Sequence, residues 1–156
     1  MKKISSTFAS NHEYIARPFA LVNHTHPEYL RSDLTETSSN GSVDFQMTAG
    51  AVLSALKVVR PTSIGKLIYA SSADDLQWND VIGITTTAGG VGDIINVRRL
   101  GLLTDPSWTW TTNLPVFLGV NGVLTQTAPT SGFICIVGKP FAADTLFINV
   151  DRTITL

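Results

Sequence analysis

The chain has 156 residues, a net charge of −1 and 15% charged residues against 44% hydrophobic ones, which is enough apolar material for one domain-sized core. Charged side chains usually make up about a quarter of a globular domain, and here Ser and Thr supply the missing polarity. A chain this close to neutral, without clustered Lys or Arg, is not expected to bind nucleic acid through its phosphates or a membrane through a polybasic patch.

The N-terminal segment opens Met1-Lys2-Lys3, and Asn11, His12, Glu13 and Arg17 interrupt any apolar stretch that would make it a secretory signal. No window approaches the roughly 20 apolar residues of a membrane-spanning helix, so no membrane insertion is expected. All three histidines (His12, His24, His26) and all three glutamates (Glu13, Glu28, Glu36) lie before residue 40, and the run Thr35-Glu36-Thr37-Ser38-Ser39-Asn40-Gly41-Ser42 reads as a linker or turn. The expected division is therefore an attachment and oligomerisation segment over residues 1–42 and a β-rich module over 43–156. The clearest strands of that module fall in 62–156.

Within the first segment, His24-Thr25-His26 puts two imidazoles on one side of an extended chain. One chain offers two ligands. Three chains around an axis would offer six, the coordination number of an octahedral transition-metal site. His24 and His26 are thus the metal candidate, weighed against a plainer reading as exposed or capping histidines, and no other cofactor is expected.

Gln46 to Val59 is the best helix candidate, being rich in Ala, Leu and Met with Val52, Leu53 and Leu56 on one face. Gly50 weakens it. A strand reading is nearly as good, because Val43, Phe45 and Met47 alternate, and Pro61 ends either element. After Pro61, short β-branched and aromatic runs recur between turn residues: Lys66–Ala70, Asp80–Thr85, Ile94–Leu102, Val116–Gly119, Gly132–Val137, Thr145–Val150 and Thr153–Leu156. Asn121-Gly122 between apolar runs predicts a hairpin with a type I′ turn. Strands separated by turns, without intervening helices, predict a mainly β fold: a small antiparallel barrel or sandwich.

Candidate chemistry is sparse. Gly89-Gly90-Val91-Gly92 opens no helix and carries no Lys-Ser/Thr, so it reads as a β-turn, and Gly65-Lys66 lacks the upstream glycine of a phosphate loop because position 60 is Arg. Asp74, Asp75 and Asp80, and Asp144 with Asp151, lack calcium-loop spacing and read as solvated turn carboxylates. Cys135, the single cysteine, lies in an apolar run and reads as a core thiol. No nucleophile, base or paired acid is poised for catalysis, and the chain is read as a non-enzyme. Trp108-Thr109-Trp110 is the most suggestive aromatic pattern. In an extended chain the two indoles would lie side by side as a sugar-stacking platform, while the competing reading has one or both cap the barrel or bury in a subunit interface.

Two stretches resemble bacteriophage virion proteins. Asn23-His24-Thr25-His26-Pro27-Glu28-Tyr29-Leu30 resembles the His-x-His-x-x-Tyr units of phage tail-fibre stalks, whose chains are trimeric and can hold a metal on the axis. That resemblance implies an interface role for His24, His26 and Tyr29. The order Lys66–Ala70, Asp80–Ile84, Gly92–Val97, Leu100–Thr104, Pro115–Gly119, Gly122–Thr127 and Ile136–Pro140, ending in Thr145–Val150, is similar to a small β-domain of phage fibre, spike and capsid-decoration proteins.

The resemblance implies a homotrimeric virion structural protein, a capsid decoration or short head or tail fibre subunit. It would be made in the host cytoplasm and attach through its N-terminal segment to a major capsid protein or a tail or baseplate protein. The alternative is a tail-fibre tip module that binds a host surface glycan at Trp108 and Trp110.

Overall fold

The computed structural model describes residues 41–156 except 75, 77, 151 and 152. The His24–His26 metal pair and the interface role of His24, His26 and Tyr29 lie outside the described residues, as do Asp75 and Asp151.

Alternating burial organises the described chain into ten strands: β1 (Val43–Thr48), β2 (Val58–Pro61), β3 (Leu67–Tyr69), β4 (Gly83–Thr85), β5 (Ile94–Thr104), β6 (Val116–Leu118), β7 (Leu124–Thr125), β8 (Phe133–Ala142), β9 (Thr145–Asn149) and β10 (Thr153–Thr155). They form one antiparallel sheet in the order β3-β2-β4-β5-β9-β8-β6-β7, with β1 added to β5 and β10 to β8. The mainly β reading holds, and the architecture is a curled, half-barrel sheet. Backbone hydrogen bonds link the segment that follows β3 to the β6–β7 turn and to β8. Ser72 N–H donates to Gly119 O (3.1 Å), Gly122 N–H to Ala70 O (2.6 Å) and Phe133 N–H to Ser72 O (3.0 Å). The two terminal strands are only three and two residues long, a common way to keep unpaired edges short.

The expected helix over Gln46–Val59 is not formed. Strand β1 covers Val43–Thr48, as the Val43, Phe45, Met47 alternation allowed, and the chain then breaks before β2. Tertiary pairing overrides helical propensity there. Ala49 bridges Leu67 in parallel and Leu53 bridges Gly89 antiparallel, while Leu56 has φ 61°, in the left-handed region that no helix accommodates. The buried Thr85 hydroxyl holds this bend, donating to Ser54 O (2.8 Å) and accepting the Lys57 N–H (3.1 Å).

Two apolar clusters stabilise the sheet. Residues Val58, Ala70, Ile84, Val116, Leu118, Phe133, Cys135, Val137, Leu146 and Ile148 form the larger one. Ala49, Leu53, Val59, Leu67, Ile95 and Val97 form the second. Val58 and Val59 are neighbours on β2 yet belong to different clusters, because successive strand residues face opposite sides. Cys135 is fully buried in the larger cluster, as expected of a core thiol.

The Asn-Gly hairpin forms between β6 and β7. Asn121 (φ 53°) and Gly122 (φ 73°) both take positive φ, and Val123 N–H donates to Val120 O (3.3 Å), which is the geometry of a type I′ turn. The Gly-Gly-Val-Gly run is a turn joining β4 to β5. Gly90 N–H donates to Asp93 Oδ2 (2.7 Å) and Asp93 N–H to Gly90 O (3.2 Å).

Candidate functional site

The outer side of the curled sheet is built by register. Residues opposite one another in an antiparallel pair project to the same face, about 5 Å apart. Leu102 on β5 pairs with Phe147 on β9, which pairs with Lys139 on β8. Leu100 pairs with Asn149 on one side and Val43 on the other. Ile136 pairs with Phe117, and Ile134 with Ile154 on β10. The buried partners Leu146 and Ile148 alternate with exposed Phe147, so this row faces away from the core. Phe147 is 41% exposed, Phe141 73% and Ile154 62%.

Strand β8 needs two irregularities to present this face. A register shift at Val116/Phe117 lets Val137 and Gly138 both be buried, and a second between Pro140 and Ala142 leaves Phe141, which shares the outward side with Lys139, without a partner opposite it on β9. The result is an apolar face with Lys139 as the charge in its central row. Exposed apolar residues gathered in this way mark interaction surfaces more often than scattered ones do.

A charged pair joins β1 to β5 at one border of the sheet. Asp44 on β1 lies opposite Arg98 on β5 and meets it through two hydrogen bonds of 2.8 Å, Nε to Oδ1 and Nη2 to Oδ2. The pairing raises the Arg98 pKa above its ordinary value, and the guanidinium also donates to Leu102 O. Two residue pairs along, Gln46 Nε2 donates to Asn96 Oδ1 (2.8 Å). These two polar pairs pin β1 in register, and Asp44–Arg98 is the one ion pair among the described residues.

Trp108 and Trp110 lie in the loop from β5 to β6, not in a strand. The loop is fastened at several points. Asp105 N–H donates to Asp144 O (2.9 Å), Trp108 N–H to Asp105 O (3.1 Å) and Trp110 N–H to Ala143 O (2.7 Å). The Gln126 side chain accepts the Thr111 N–H (3.0 Å) and donates to Thr111 O (2.8 Å) and Leu114 O (3.0 Å). The two indoles do meet, with ring centroids 5.5 Å apart, but their planes are inclined by 54°, so they do not make one flat platform. Both are half-buried against the larger cluster, and Trp110 Nε1 is enclosed without a hydrogen-bond partner among the described residues.

The carboxylates sit in turns. Asp74 Oδ1 accepts the Leu76 N–H (3.1 Å), and Asp144 Oδ1 accepts the Thr145 hydroxyl (2.9 Å). Asp105 accepts both the hydroxyl and the N–H of Ser107, which lowers its pKa below the ordinary carboxylate value. No cluster of three or more His, Cys, Asp or Glu that could hold a metal occurs among the described residues.

No protein-family model matches the chain, and no curated protein matches it. The outer face had no single-residue signature in the sequence. Phe147 and Leu102 are far apart in the chain, and only strand pairing brings them together. The available signal was the exposed half of each strand's alternation, which reads Leu100, Leu102, Phe147 and Ile154 where a solvated face would carry charge.

Proposed function

We propose that this chain is a bacteriophage virion structural protein, a capsid-decoration or short head or tail fibre subunit that works as a homotrimer. The observation that supports the reading best is the apolar outer face around Leu102, Phe147 and Ile154 on a chain with only 15% charged residues. A monomer would leave these side chains in water, whereas copies packed about a symmetry axis bury the same patch on every subunit. The His-x-His and β-domain resemblances supply the virion context. The segment 1–42 would attach to a major capsid protein or to a tail or baseplate protein.

The test is sedimentation equilibrium together with localisation on particles. The expected mass is three times the 16.8 kDa of one chain, with the protein found on capsid or tail. A monomer at micromolar concentration that is absent from particles overturns the reading. A second reading, a tip module that binds a host glycan, is favoured by the two indoles meeting on one fastened loop. Adsorption unchanged by Trp108→Ala and Trp110→Ala removes it.

A further inference from the structure

A cleft of about 520 Å³ opens beside the β2–β3 turn, lined by Arg60, Pro61, Thr62, Ser63 and Asp80. It is away from both the outer sheet face and the indole loop in the chain, and its chemistry is different. A guanidinium carries five N–H donors. Arg60 uses one among the described residues, a long bond of 3.3 Å from Nη1 to Pro61 O. Its Nε is enclosed and has no hydrogen-bond partner among the described residues. Asp80 lies in the same cleft, yet it does not pair with Arg60. A packed cation with an unmet enclosed donor is in an unfavourable resting position. An acceptor placed in the cleft would draw the guanidinium outward and let Nε and an Nη donate together, the two-pronged geometry that suits a carboxylate.

The other wall restricts what that carboxylate belongs to. The Asp80 carboxylate can only accept hydrogen bonds when ionised and repels a compact anion such as phosphate. A ligand that satisfies both walls carries a carboxylate and, apart from it, hydrogen-bond donors such as ring hydroxyls. Ser63 is exposed at the rim and adds a hydroxyl that can donate or accept. Pro61 adds an apolar ring surface against which sugar C–H groups can pack. We propose that this cleft binds an acidic sugar residue, a hexuronate type, with its carboxylate on Arg60 and its ring hydroxyls donating to Asp80. Such binding is independent of where the protein sits on a particle.

The experiment is a calorimetric or NMR titration of the full chain with D-glucuronate, with D-glucose, acetate, inorganic phosphate and glycine as comparison ligands. Glucuronate is expected to bind about tenfold or more tightly than each of the others, since glucose lacks the carboxylate, acetate and phosphate lack the ring hydroxyls, and glycine offers an ammonium in place of the sugar ring. Arg60→Gln and Arg60→Lys are both expected to weaken glucuronate by about tenfold, the lysine because a point charge lacks the planar fork. Asp80→Asn is expected to narrow the gap between glucuronate and acetate. A melting temperature within a few degrees of wild type for Arg60→Lys keeps loss of binding separate from loss of fold. Glucuronate binding no tighter than glucose or acetate, or unaffected by either Arg60 variant, overturns the proposal. Equal binding of glycine overturns the sugar assignment, because a zwitterion would then meet both walls.

Discussion

The Asp105 carboxylate accepts the hydroxyl and the backbone N–H of Ser107 at the point where β5 runs into the tryptophan loop. Both bonds favour the ionised form, so the folded-state pKa lies below the unfolded value of about 3.9. The stability this supplies is fully present above that unfolded value. It is lost as pH falls through the lower folded value, because the unfolded chain takes up the proton first. Replacing Ser107 with Ala removes the hydroxyl, the larger cause of the shift. The Asp105 titration midpoint in a carbon-detected NMR experiment is then expected to move up toward the ordinary value, while the remaining N–H bond keeps it from arriving there. A midpoint unmoved by Ser107→Ala would show that the hydroxyl does not hold the carboxylate. The same loop carries Trp108 and Trp110, so local order at the indoles is expected to loosen below this midpoint, readable as a change in tryptophan fluorescence.

At the scale of elements, the β6–β7 hairpin depends on two adjacent residues with positive φ, and they are not equivalent. Asn121 tolerates the left-handed region through its short polar side chain. Gly122 is both at φ +73° and so close to β2 that a Cβ would lie 2.7 Å from Val58 O. Gly122→Ala therefore meets strain and a backbone clash together, and is expected to destabilise the fold by about 1–3 kcal/mol, while Asn121→Gly stays within about 0.5 kcal/mol. Urea unfolding of the two variants checks the contrast, and equal midpoints would contradict it.

This hairpin was legible from residues alone because Asn-Gly carries its own backbone geometry. The strands after Pro61 were legible for a similar reason, since turn residues bracket each β-branched run, although β4 begins at Gly83 rather than Asp80 and β8 runs on to Ala142. The segment 46–59 was not legible. Its Ala, Leu and Met content expresses local helical preference, and what decides its path are partners distant in sequence: Leu67 for Ala49, Gly89 for Leu53 and the Thr85 hydroxyl for the bend at Leu56. The Arg60 cleft was hidden in the same way. Arg60 figured in the sequence only as the residue that spoils a phosphate loop, and the cleft exists because Asp80, twenty positions on, lines the same space.

At the scale of the whole molecule, the low charge and the alternation of the strands meet in one consequence. A sheet that buries Leu146 and Ile148 inward and still shows Phe147 outward has apolar side chains on both faces. Apolar side chains gathered on a second face suit a surface that a partner covers. Phe147 lies between Leu102 and Lys139 in register, which makes Phe147→Glu a discriminating variant. In an isolated subunit the new carboxylate would sit directly opposite Lys139, a compatible cross-strand pair, so the fold is expected to change in stability by no more than about 0.5 kcal/mol. In a trimer packed through this face the same carboxylate would be buried against an apolar neighbour, and association is expected to weaken by about tenfold or more. Sedimentation velocity across a concentration series separates the two effects, since a folded monomer gains population as the trimer loses it. If Phe147→Glu dissociates no more readily than wild type, this face is not a contact between copies of the chain.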